Sequence, residues 1–333
     1  MKKLIIISND KLHFTNNTVS SDFNDTINII ESLSKINYLN FFSRKKIGKG
    51  IHKAKVLNKS KLKISQLRTL EFKNQKICMI SITPFNYFIF IIINLFNKGI
   101  KGFVILRSDG FKEYHTKFGF IGKKFYGFLF KNILKKLKPV VVTSNMSNLK
   151  NYKYFKICPS EITDLWKKNL KKPNLDTASL LYIGRIKKEK GIYSLLRLTK
   201  DLSIDYKLNI VGQITEQIPR SRNIKFYNET SNIKKIINFY DKNNIFILPS
   251  YTEGSPKVIL ESLTRLRPVI VFKEISHVKS NLKGIFISGR SADEFQSTIT
   301  YILKNYNKIQ HEIKKNKILS RNKFQSDLMK IIK

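Results

Sequence analysis

Short apolar runs alternate with segments of helix length along almost the whole chain. Between the runs Leu4–Ile7 and Leu39–Phe42, the segment Asp25–Ile36 carries apolar residues near helical spacing. Further strand-like runs of the first half lie at Ile77–Ile82, Phe103–Leu106 and Val140–Thr143. Strands that alternate with helices form parallel sheets with helices on both faces. The pattern therefore predicts an α/β fold.

A second series of alternating segments follows a short polar stretch. Lys171-Lys172-Pro173-Asn174 is typical of a linker between domains. The strand-like runs after it are Leu180–Ile183, Leu208–Val211, Ile245–Leu248 and Pro268–Phe272, and the helical segments are Ile192–Lys200, Ile233–Tyr240 and Val258–Leu263. The length of 333 residues suits two domains of roughly 150 residues each. We predict domains over residues 1–172 and 173–315, followed by a charged helical tail.

The most apolar stretch of the chain is Phe85–Phe96. A membrane-spanning helix needs about 20 apolar residues, and joining this stretch to Ile77–Ile82 would reach that length. Pro84, Asn86 and Asn94 interrupt the combined run. We therefore predict a strand, a turn and a buried helix here, and no membrane span.

Two features predict a cytoplasmic location. Four apolar residues, Leu4–Ile7, follow the N-terminal lysines, whereas a signal peptide needs about 7–15. The chain has two cysteines, Cys78 and Cys158, which argues against a disulfide scaffold and fits a reducing compartment. Neither lies in a Cys-x-x-Cys or Cys/His cluster, which excludes a structural zinc site.

The charge balance predicts attraction to anionic partners. The chain has 63 basic and 23 acidic residues, a net charge of +40. The stretch Phe111–Lys138 combines many lysines with many aromatic residues. Within it, Ile121, Phe125, Leu129, Ile133 and Leu137 recur every four residues. Such a helix suits the surface of an anionic membrane, although a core helix with a solvated basic face has the same pattern.

The loop after Leu180–Ile183 contains residues suited to a phosphate group. Glycines such as Gly184 and Gly191 let backbone amides approach a ligand closely. Arg185 can bind a phosphate with two hydrogen bonds, and Lys190 adds a compact charge. The helix that follows points its positive end at the same place. Each cation taken alone is better explained as an ordinary surface charge.

A second candidate loop follows Ile245–Leu248. Glu253 and Glu261 are eight residues apart, about two turns if the segment is helical, and Pro256 suits a first helical turn. Carboxylates accept hydrogen bonds from hydroxyl groups of sugars and riboses. The alternatives are that Glu253 caps the helix and that Glu261 is a solvated helix residue.

In their order and spacing, these segments resemble the nucleotide-binding domain of the family 4 (group 1) retaining glycosyltransferases. The matching residues are Tyr182, Gly184, Arg185, Lys190, Gly191, Pro249, Ser250, Glu253, Gly254, Pro256, Glu261, Pro268, Val269 and Ile270. The resemblance implies the GT-B fold, in which two Rossmann-like domains face a cleft. It implies that residues 1–172 bind the acceptor, that 173–315 bind the donor, and that a C-terminal helix, 316–333, returns to the first domain.

The resemblance also implies a role for each matching side chain. Arg185 and Lys190 would bind the donor diphosphate, and Glu253 would hold hydroxyls of the transferred sugar, so that these three act in catalysis. Glu261 would bind the ribose. The other implied donor-binding residues are Gly184, Gly212, Gly254, Ser255, Pro256 and Lys257. The co-substrate would be a nucleoside diphosphate sugar, with no cofactor and no metal, and the chain has no Asp-x-Asp motif.

Four positions depart from the family pattern, and the smallest change is Ser262 in place of the usual alanine. Ser8-Asn9-Asp10-Lys11 stands where many members have a glycine-rich loop. The role of a family histidine near the reacting sugar stays open between Arg107, Asp109 and His115. Leu266-Arg267 stands where a glycine normally ends a helix. A non-glycine residue in a left-handed turn costs about 1 kcal/mol, so we expect this turn to differ.

The sequence thus predicts a retaining glycosyltransferase at the inner face of the cytoplasmic membrane. It would transfer a sugar to a lipid-linked or polysaccharide acceptor in surface polysaccharide synthesis. One alternative is a basic nucleic-acid-binding protein, although no known nucleic-acid motif is present and no specific nucleic acid is expected. The other is a catalytically inactive partner of other transferases.

Overall fold

The chain forms two compact units in the computed structural model, which describes residues 2–67, 75–97, 99–143, 146, 149, 152–213, 221–253 and 255–332. The first unit comprises Met1–Pro159 and Asn322–Lys333, and the second comprises Ser160–Arg321. The segment 160–172, predicted to end the first domain, therefore belongs to the second unit. Residues 316–321, predicted to begin the returning C-terminal helix, belong to the second unit as well, and that helix begins at Arg321.

The described part of the first unit contains a nine-stranded sheet in the order β4-β2-β1-β6-β7-β8-β9, with β3 pairing with β1 and β5. Its strands are β1 Lys2–Phe14, β2 Thr18–Ser21, β3 Asn37–Lys45, β4 His52–Lys55, β5 Lys59–Lys61, β6 Lys76–Ile80, β7 Gly102–Leu106, β8 Val140–Val142 and β9 Tyr154–Lys156. Its first helices are α1 Asn24–Ser34, α2 Pro84–Phe96 and α3 Gly110–Lys136. Strand β1 runs parallel to its neighbours β3 and β6, as the alternating pattern predicts.

Both faces of this sheet are buried. Because side chains alternate along a strand, Ile5 and Ile7 of β1 pack in one cluster with residues of α2 and α3. Leu4 and Ile6 pack in another, with residues of α1 and of the C-terminal helix Arg321–Ile332. Gln325 of that helix accepts a hydrogen bond from Lys35 at 2.5 Å. The last helix therefore completes the first unit, although the chain reaches it only after the second.

Strand β1 is much longer than the predicted run Leu4–Ile7. Its pairing with β3 shifts between Ser8 and Lys11, a bulge that lets the strand continue past the polar residues. Beyond it, Phe14 pairs with Val19 of the antiparallel strand β2. An extended ribbon thus lies at the position of the glycine-rich loop in the family pattern that the sequence resembles.

Helix α2 contains the most apolar stretch and lies partly in the core. Ile89, Phe90 and Ile93 are buried, whereas Phe88 and Leu95 are exposed. Thr83 caps the helix by accepting a hydrogen bond from the Asn86 amide at 3.2 Å. Within the residues that the structure describes, no helix combines the length and the apolar composition that crossing a membrane requires.

All six strands in the described part of the second unit are parallel, in the order β12-β11-β10-β13-β14-β15. They are β10 Ala178–Ile183, β11 Tyr206–Val211, β12 Ile224–Tyr227, β13 Ile245–Leu248, β14 Val269–Phe272 and β15 Ile285–Ser288. Its helices are α4 Asp164–Lys167, α5 Ile192–Lys200, α6 Ile233–Lys242, α7 Lys257–Thr264, α8 Ala292–Lys304 and α9 Tyr306–Lys314. The C-terminal helix Arg321–Ile332, here α10, belongs to the first unit from Asn322 onward. This strand order is that of a Rossmann fold.

Two buried arginines explain why residues 160–172 belong to the second unit. Arg265 binds Asp241 through two hydrogen bonds of 2.9 Å and donates to the Trp166 carbonyl at 2.8 Å. Arg267 donates to the Lys171 carbonyl at 2.9 Å. Between them, Leu266 adopts the left-handed φ of +56° that a glycine would favour. The prediction that the backbone of this turn differs is therefore wrong, because position 266 keeps the left-handed conformation. Hydrogen bonds of the flanking arginines offset the conformational free energy that a non-glycine residue costs there.

We predict that Arg265→Met lowers the free energy of unfolding by about 3–5 kcal/mol, because Asp241 is left buried without its partner. Urea denaturation measures this change. The control is Lys273→Met, which breaks an exposed ion pair with Glu294, whose side chains are 71% and 51% accessible; it should cost less than about 1 kcal/mol. Equal losses in the two variants would contradict the structural role of Arg265.

Candidate active site

The loops that follow β10 and β13 meet at the carboxyl ends of these two neighbouring strands. From β10 the chain crosses to β11 on one side, and from β13 it crosses to β14 on the other. Ligands of Rossmann-like sheets bind at such a switch point, where the loops diverge and leave a crevice. The strand order alone therefore indicates a ligand-binding site between these two loops.

Backbone contacts join the two loops. The Tyr251 amide donates to the Glu189 carbonyl at 3.1 Å. A Cβ atom at Gly191 would lie 1.8 Å from the Pro249 carbonyl oxygen, and Gly191 has a φ of +68°. Gly212, at the end of β11, lies against Gly184, since its Cβ would be 2.1 Å from the Gly184 oxygen. Glycine at positions 191 and 212 is thus required by close packing of backbone.

Two of the predicted catalytic residues form an ion pair across these loops. Lys190 Nζ lies 2.6 Å from Glu253 Oε1, and the Ser250 hydroxyl donates to the same oxygen at 2.7 Å. Both charged side chains are mostly buried. Arg185 is exposed, and no ion-pair partner is found for it in the described parts of the chain. Its carbonyl accepts a hydrogen bond from the Tyr182 hydroxyl at 2.7 Å, which holds the loop backbone.

Glu261 lies on α7 and accepts a hydrogen bond from the Tyr240 hydroxyl at 3.0 Å. Burial raises the pKa of Glu261 to about 7, an effect that the Tyr240 hydrogen bond and Lys257 oppose and that Glu161 reinforces. Burial also raises the pKa of Tyr240 well above its ordinary value, so the tyrosine remains a donor. Lys257, predicted to bind the donor, forms an ion pair with Glu161.

The remaining predicted residues of this loop lie at the start of α7. Pro256 is the residue before the first helical turn, and Ser255 is exposed beside it. Gly254 lies outside the described residues. Because α7 begins at Lys257, Glu253 belongs to the loop and only Glu261 to the helix. Hydrogen bonds from Lys190 and Ser250, and not helical spacing, therefore hold the Glu253 carboxylate.

Sequence reasoning missed two residues that contact this loop. His277 Nε2–H donates to the Glu253 carbonyl at 2.9 Å. Arg290, two residues after β15, donates to the Pro249 carbonyl at 2.7 Å. Both come from later parts of the chain, and neither belongs to a motif that would have signalled it.

The three acceptor-side candidates of the first unit have different surroundings. Arg107 binds Asp10 with nitrogen–oxygen distances of 2.9 and 3.1 Å and donates to the Ser81 hydroxyl at 3.1 Å. Asp109 caps α3 by accepting a hydrogen bond from the Phe111 amide at 3.1 Å. His115 is exposed on α3. Arg107 is thus held in a polar cluster at the carboxyl ends of β6 and β7, whereas Asp109 stabilises a helix end.

Comparison with known families identifies the second unit. Residues 164–319 match the family model described as "Glycosyl transferases group 1". The second unit is a group 1 glycosyltransferase domain. The match contains both loops of the candidate site, so the predicted resemblance is confirmed for the family.

Relatives of this glycosyltransferase domain include bacterial proteins of polysaccharide synthesis. A "Capsular polysaccharide biosynthesis glycosyltransferase" from Staphylococcus aureus, CapM, is 26% identical over 163 residues, which cover 46% of this chain and 42% of that protein. A "Putative teichuronic acid biosynthesis glycosyltransferase" from Bacillus subtilis, TuaC, is 27% identical over 142 residues, 38% of this chain and 33% of that protein. The matches thus span less than half the length of these relatives.

The likeness in fold extends over the whole chain. Anabaena HepE, solved in complex with UDP, superposes with a TM-score of 0.71 over 99% of both chains at 11% sequence identity. At this identity the likeness concerns the fold, which is the GT-B fold of glycosyltransferases. The predicted fold class is confirmed.

We predict that the free energy of unfolding falls between about pH 5 and pH 8 because of Glu261. In the unfolded chain its carboxyl group loses the proton near the ordinary pKa of 4.5, whereas in the folded protein it keeps the proton up to about 7. The folded state therefore binds more protons in this window, and rising pH destabilises it. Urea denaturation of the wild type and Glu261→Gln at several pH values isolates this contribution. A constant difference between the two proteins across the window would contradict the raised pKa.

Proposed function

We propose that the chain is a retaining glycosyltransferase that transfers a sugar from a nucleoside diphosphate sugar to a glycan or lipid-linked acceptor. The observation that carries the proposal is the Lys190–Glu253 pair at the switch point of the second unit, with Arg185 exposed beside it. Polysaccharide synthesis is the proposed setting, since two relatives bear names of capsular polysaccharide and teichuronic acid biosynthesis. The cytoplasmic face of the membrane is the proposed location.

The two cations suit the leaving group of this reaction. The bond between the anomeric carbon and the diphosphate oxygen breaks, and the acceptor oxygen forms a new bond to that carbon. The proton of the acceptor hydroxyl passes to the departing diphosphate and from there to solvent. Negative charge grows on the departing nucleoside diphosphate. Arg185 and Lys190 would stabilise this charge, a role that a metal ion would otherwise fill. We therefore propose that transfer needs no metal and no cofactor.

The carboxylates of Glu253 and Glu261 are suited to the uncharged parts of the donor, which are the transferred sugar and the ribose. Glu253 Oε1 is occupied by Lys190 and Ser250, and within the described residues Oε2 has no hydrogen-bond partner. Oε2 would accept hydrogen bonds from hydroxyls of the transferred sugar. Glu261 would accept from the ribose, while Tyr240 orients its carboxylate. Among the first-unit candidates, the Arg107 cluster is the proposed contact of the acceptor.

The exposed half of α3 supports membrane association. Of the predicted apolar stripe, Leu129, Ile133 and Leu137 are buried in the core, whereas Ile121 is 81% and Phe125 46% exposed. Phe118, Phe120 and Phe128 are also exposed, and Lys117, Lys123 and Lys124 are exposed on the same helix. Apolar side chains among lysines suit the surface of an anionic bilayer. This surface would bring the first unit to a lipid-linked acceptor.

We predict that Lys190→Ala and Glu253→Ala each lower turnover by about 10²–10³-fold, because each removes a group that binds the reacting part of the donor. The assay is release of the free nucleoside diphosphate from UDP-glucose, UDP-N-acetylglucosamine, GDP-mannose and ADP-glucose, with water as the acceptor. Lys187→Ala, which removes an exposed lysine of the same loop, should leave the rate unchanged. Failure of the wild type to release any nucleotide would instead favour the catalytically inactive alternative.

We predict that the exposed half of α3 carries membrane binding. Ile121→Ser/Phe125→Ser should lower co-sedimentation with vesicles of phosphatidylglycerol and phosphatidylcholine at least about tenfold, since each buried apolar side chain contributes about 1.5–3 kcal/mol. Ile47→Ser, at a residue 93% exposed elsewhere in the first unit, is the matched control. Equally strong binding of the wild type to vesicles of pure phosphatidylcholine would contradict an electrostatic contribution to membrane binding. Unchanged binding of the double variant would contradict a contribution of the apolar side chains.

A further inference from the structure

Arg290 connects several segments of the second unit around the loop that carries Glu253. Its Nε donates to Glu274 at 2.7 Å, and its Nη1 donates to the Ser194 hydroxyl of α5 at 3.1 Å. Its Nη2 donates to the Pro249 carbonyl at 2.7 Å and lies 3.4 Å from the Ser250 carbonyl. One guanidinium group thus binds parts of the chain that follow β10, β13 and β14.

Two aromatic rings pack against the same guanidinium group. Its central carbon lies 4.1 Å from the ring centre of Tyr251 and 4.4 Å from that of Phe272. A planar cation between aromatic rings is held in orientation as well as in position. Arginine is therefore specifically suited to this site, because a lysine ammonium group can form hydrogen bonds but provides neither the planar stacking nor the fork of donors.

The residues that Arg290 holds are the backbone support of the ion pair. Pro249 is the residue whose carbonyl lies against Gly191, and Ser250 donates to Glu253 Oε1. The backbone amide of Tyr251 donates a hydrogen bond to the carbonyl of Glu189, the residue before Lys190. A shift of this loop would therefore change the distance between Lys190 and Glu253, the two charges that the proposed reaction uses.

We propose that Arg290 is a positioning residue, which acts through the Pro249–Glu253 loop and sets where the Glu253 carboxylate meets the transferred sugar. The inference rests on the proposed function for its effect on catalysis, but not for its effect on the loop. The hydrogen bonds of Arg290 go to Glu274, to Ser194 and to the loop carbonyls. The proposal therefore assigns it no contact with the nucleoside diphosphate sugar.

The test compares Arg290→Lys with Arg197→Lys, which makes the same change at an exposed arginine of α5. We expect Arg290→Lys to lower the rate of sugar release from the hydrolysed donor by about 10–100-fold, since small displacements of a reacting group cost that much. Affinity for the free nucleoside diphosphate, measured by calorimetry, should change less than about threefold, because Arg185, Lys190 and Glu261 remain. Arg197→Lys should change neither quantity.

A double-variant cycle separates positioning from general loss of structure. If Arg290 acts through Glu253, then adding Arg290→Lys to Glu253→Gln should cause little further loss of rate. Full additivity of the two losses, or equal losses of rate and of nucleotide affinity in Arg290→Lys, would overturn the proposal.

Hydrogen exchange tests the same proposal without any turnover. The Tyr251 amide, which bonds to Glu189, should exchange at least about tenfold faster in Arg290→Lys than in Arg197→Lys, because the loop is held less firmly. Unchanged exchange would overturn the positioning role even if the rate falls. If this amide exchanges faster in Arg290→Lys but the wild type releases no nucleotide, the role of Arg290 in holding the loop is supported. The proposed function is then rejected.

Discussion

The close approach of Gly191 to the Pro249 carbonyl is the constraint on which the candidate site depends. It brings together the loops after β10 and β13, and this contact leaves no space for a side chain at position 191. Once the loops meet, Lys190 and Glu253 lie 2.6 Å apart. The strand order places this contact where the crossover connections diverge, so the site follows from topology and from one backbone contact together.

The charges of the second unit are arranged so that the site has a positive surplus. Lys190 offsets Glu253, Lys257 pairs with Glu161, and Arg185 remains exposed. Glu261, with its raised pKa, adds little negative charge below neutral pH. A diphosphate would thus meet a local excess of cations in a protein whose net charge is already +40. The sign of the local field favours the donor proposed for this domain.

The sequence predicts the elements that depend on local interactions, and it does not predict the features that depend on contacts between distant residues. Strand β13 and helix α5 begin and end where the apolar patterns place them, because burial of local runs determines these elements. The unit boundary was missed because Arg265 and Arg267 bind carbonyl groups nearly 100 residues earlier in the chain. The length of β1 was missed because a bulge, which apolar alternation does not reveal, carries the strand past Ser8.

The same distinction applies to the candidate site. Gly191, Lys190 and Glu253 lie in motifs whose spacing can be recognised, whereas the contacts of His277 and Arg290 join residues 24 and 41 positions apart. The ion pair of Lys257 with Glu161 could not be predicted from the sequence, since it depends on the path of the segment before β10. Residue type and spacing can indicate which groups bind a ligand. The groups that position them depend on tertiary structure.

We propose that the second unit binds a nucleoside diphosphate through the loops after β10 and β13 and helix α7. This binding is measured by titration calorimetry with UDP, GDP, ADP, CMP and a short RNA, at low and high salt, on the wild type, Arg185→Ala and Glu261→Ala. We expect one nucleoside diphosphate to bind at both salt concentrations and to lose at least about tenfold in affinity in each variant. Binding of RNA alone, lost at high salt and unchanged in both variants, would contradict the claim.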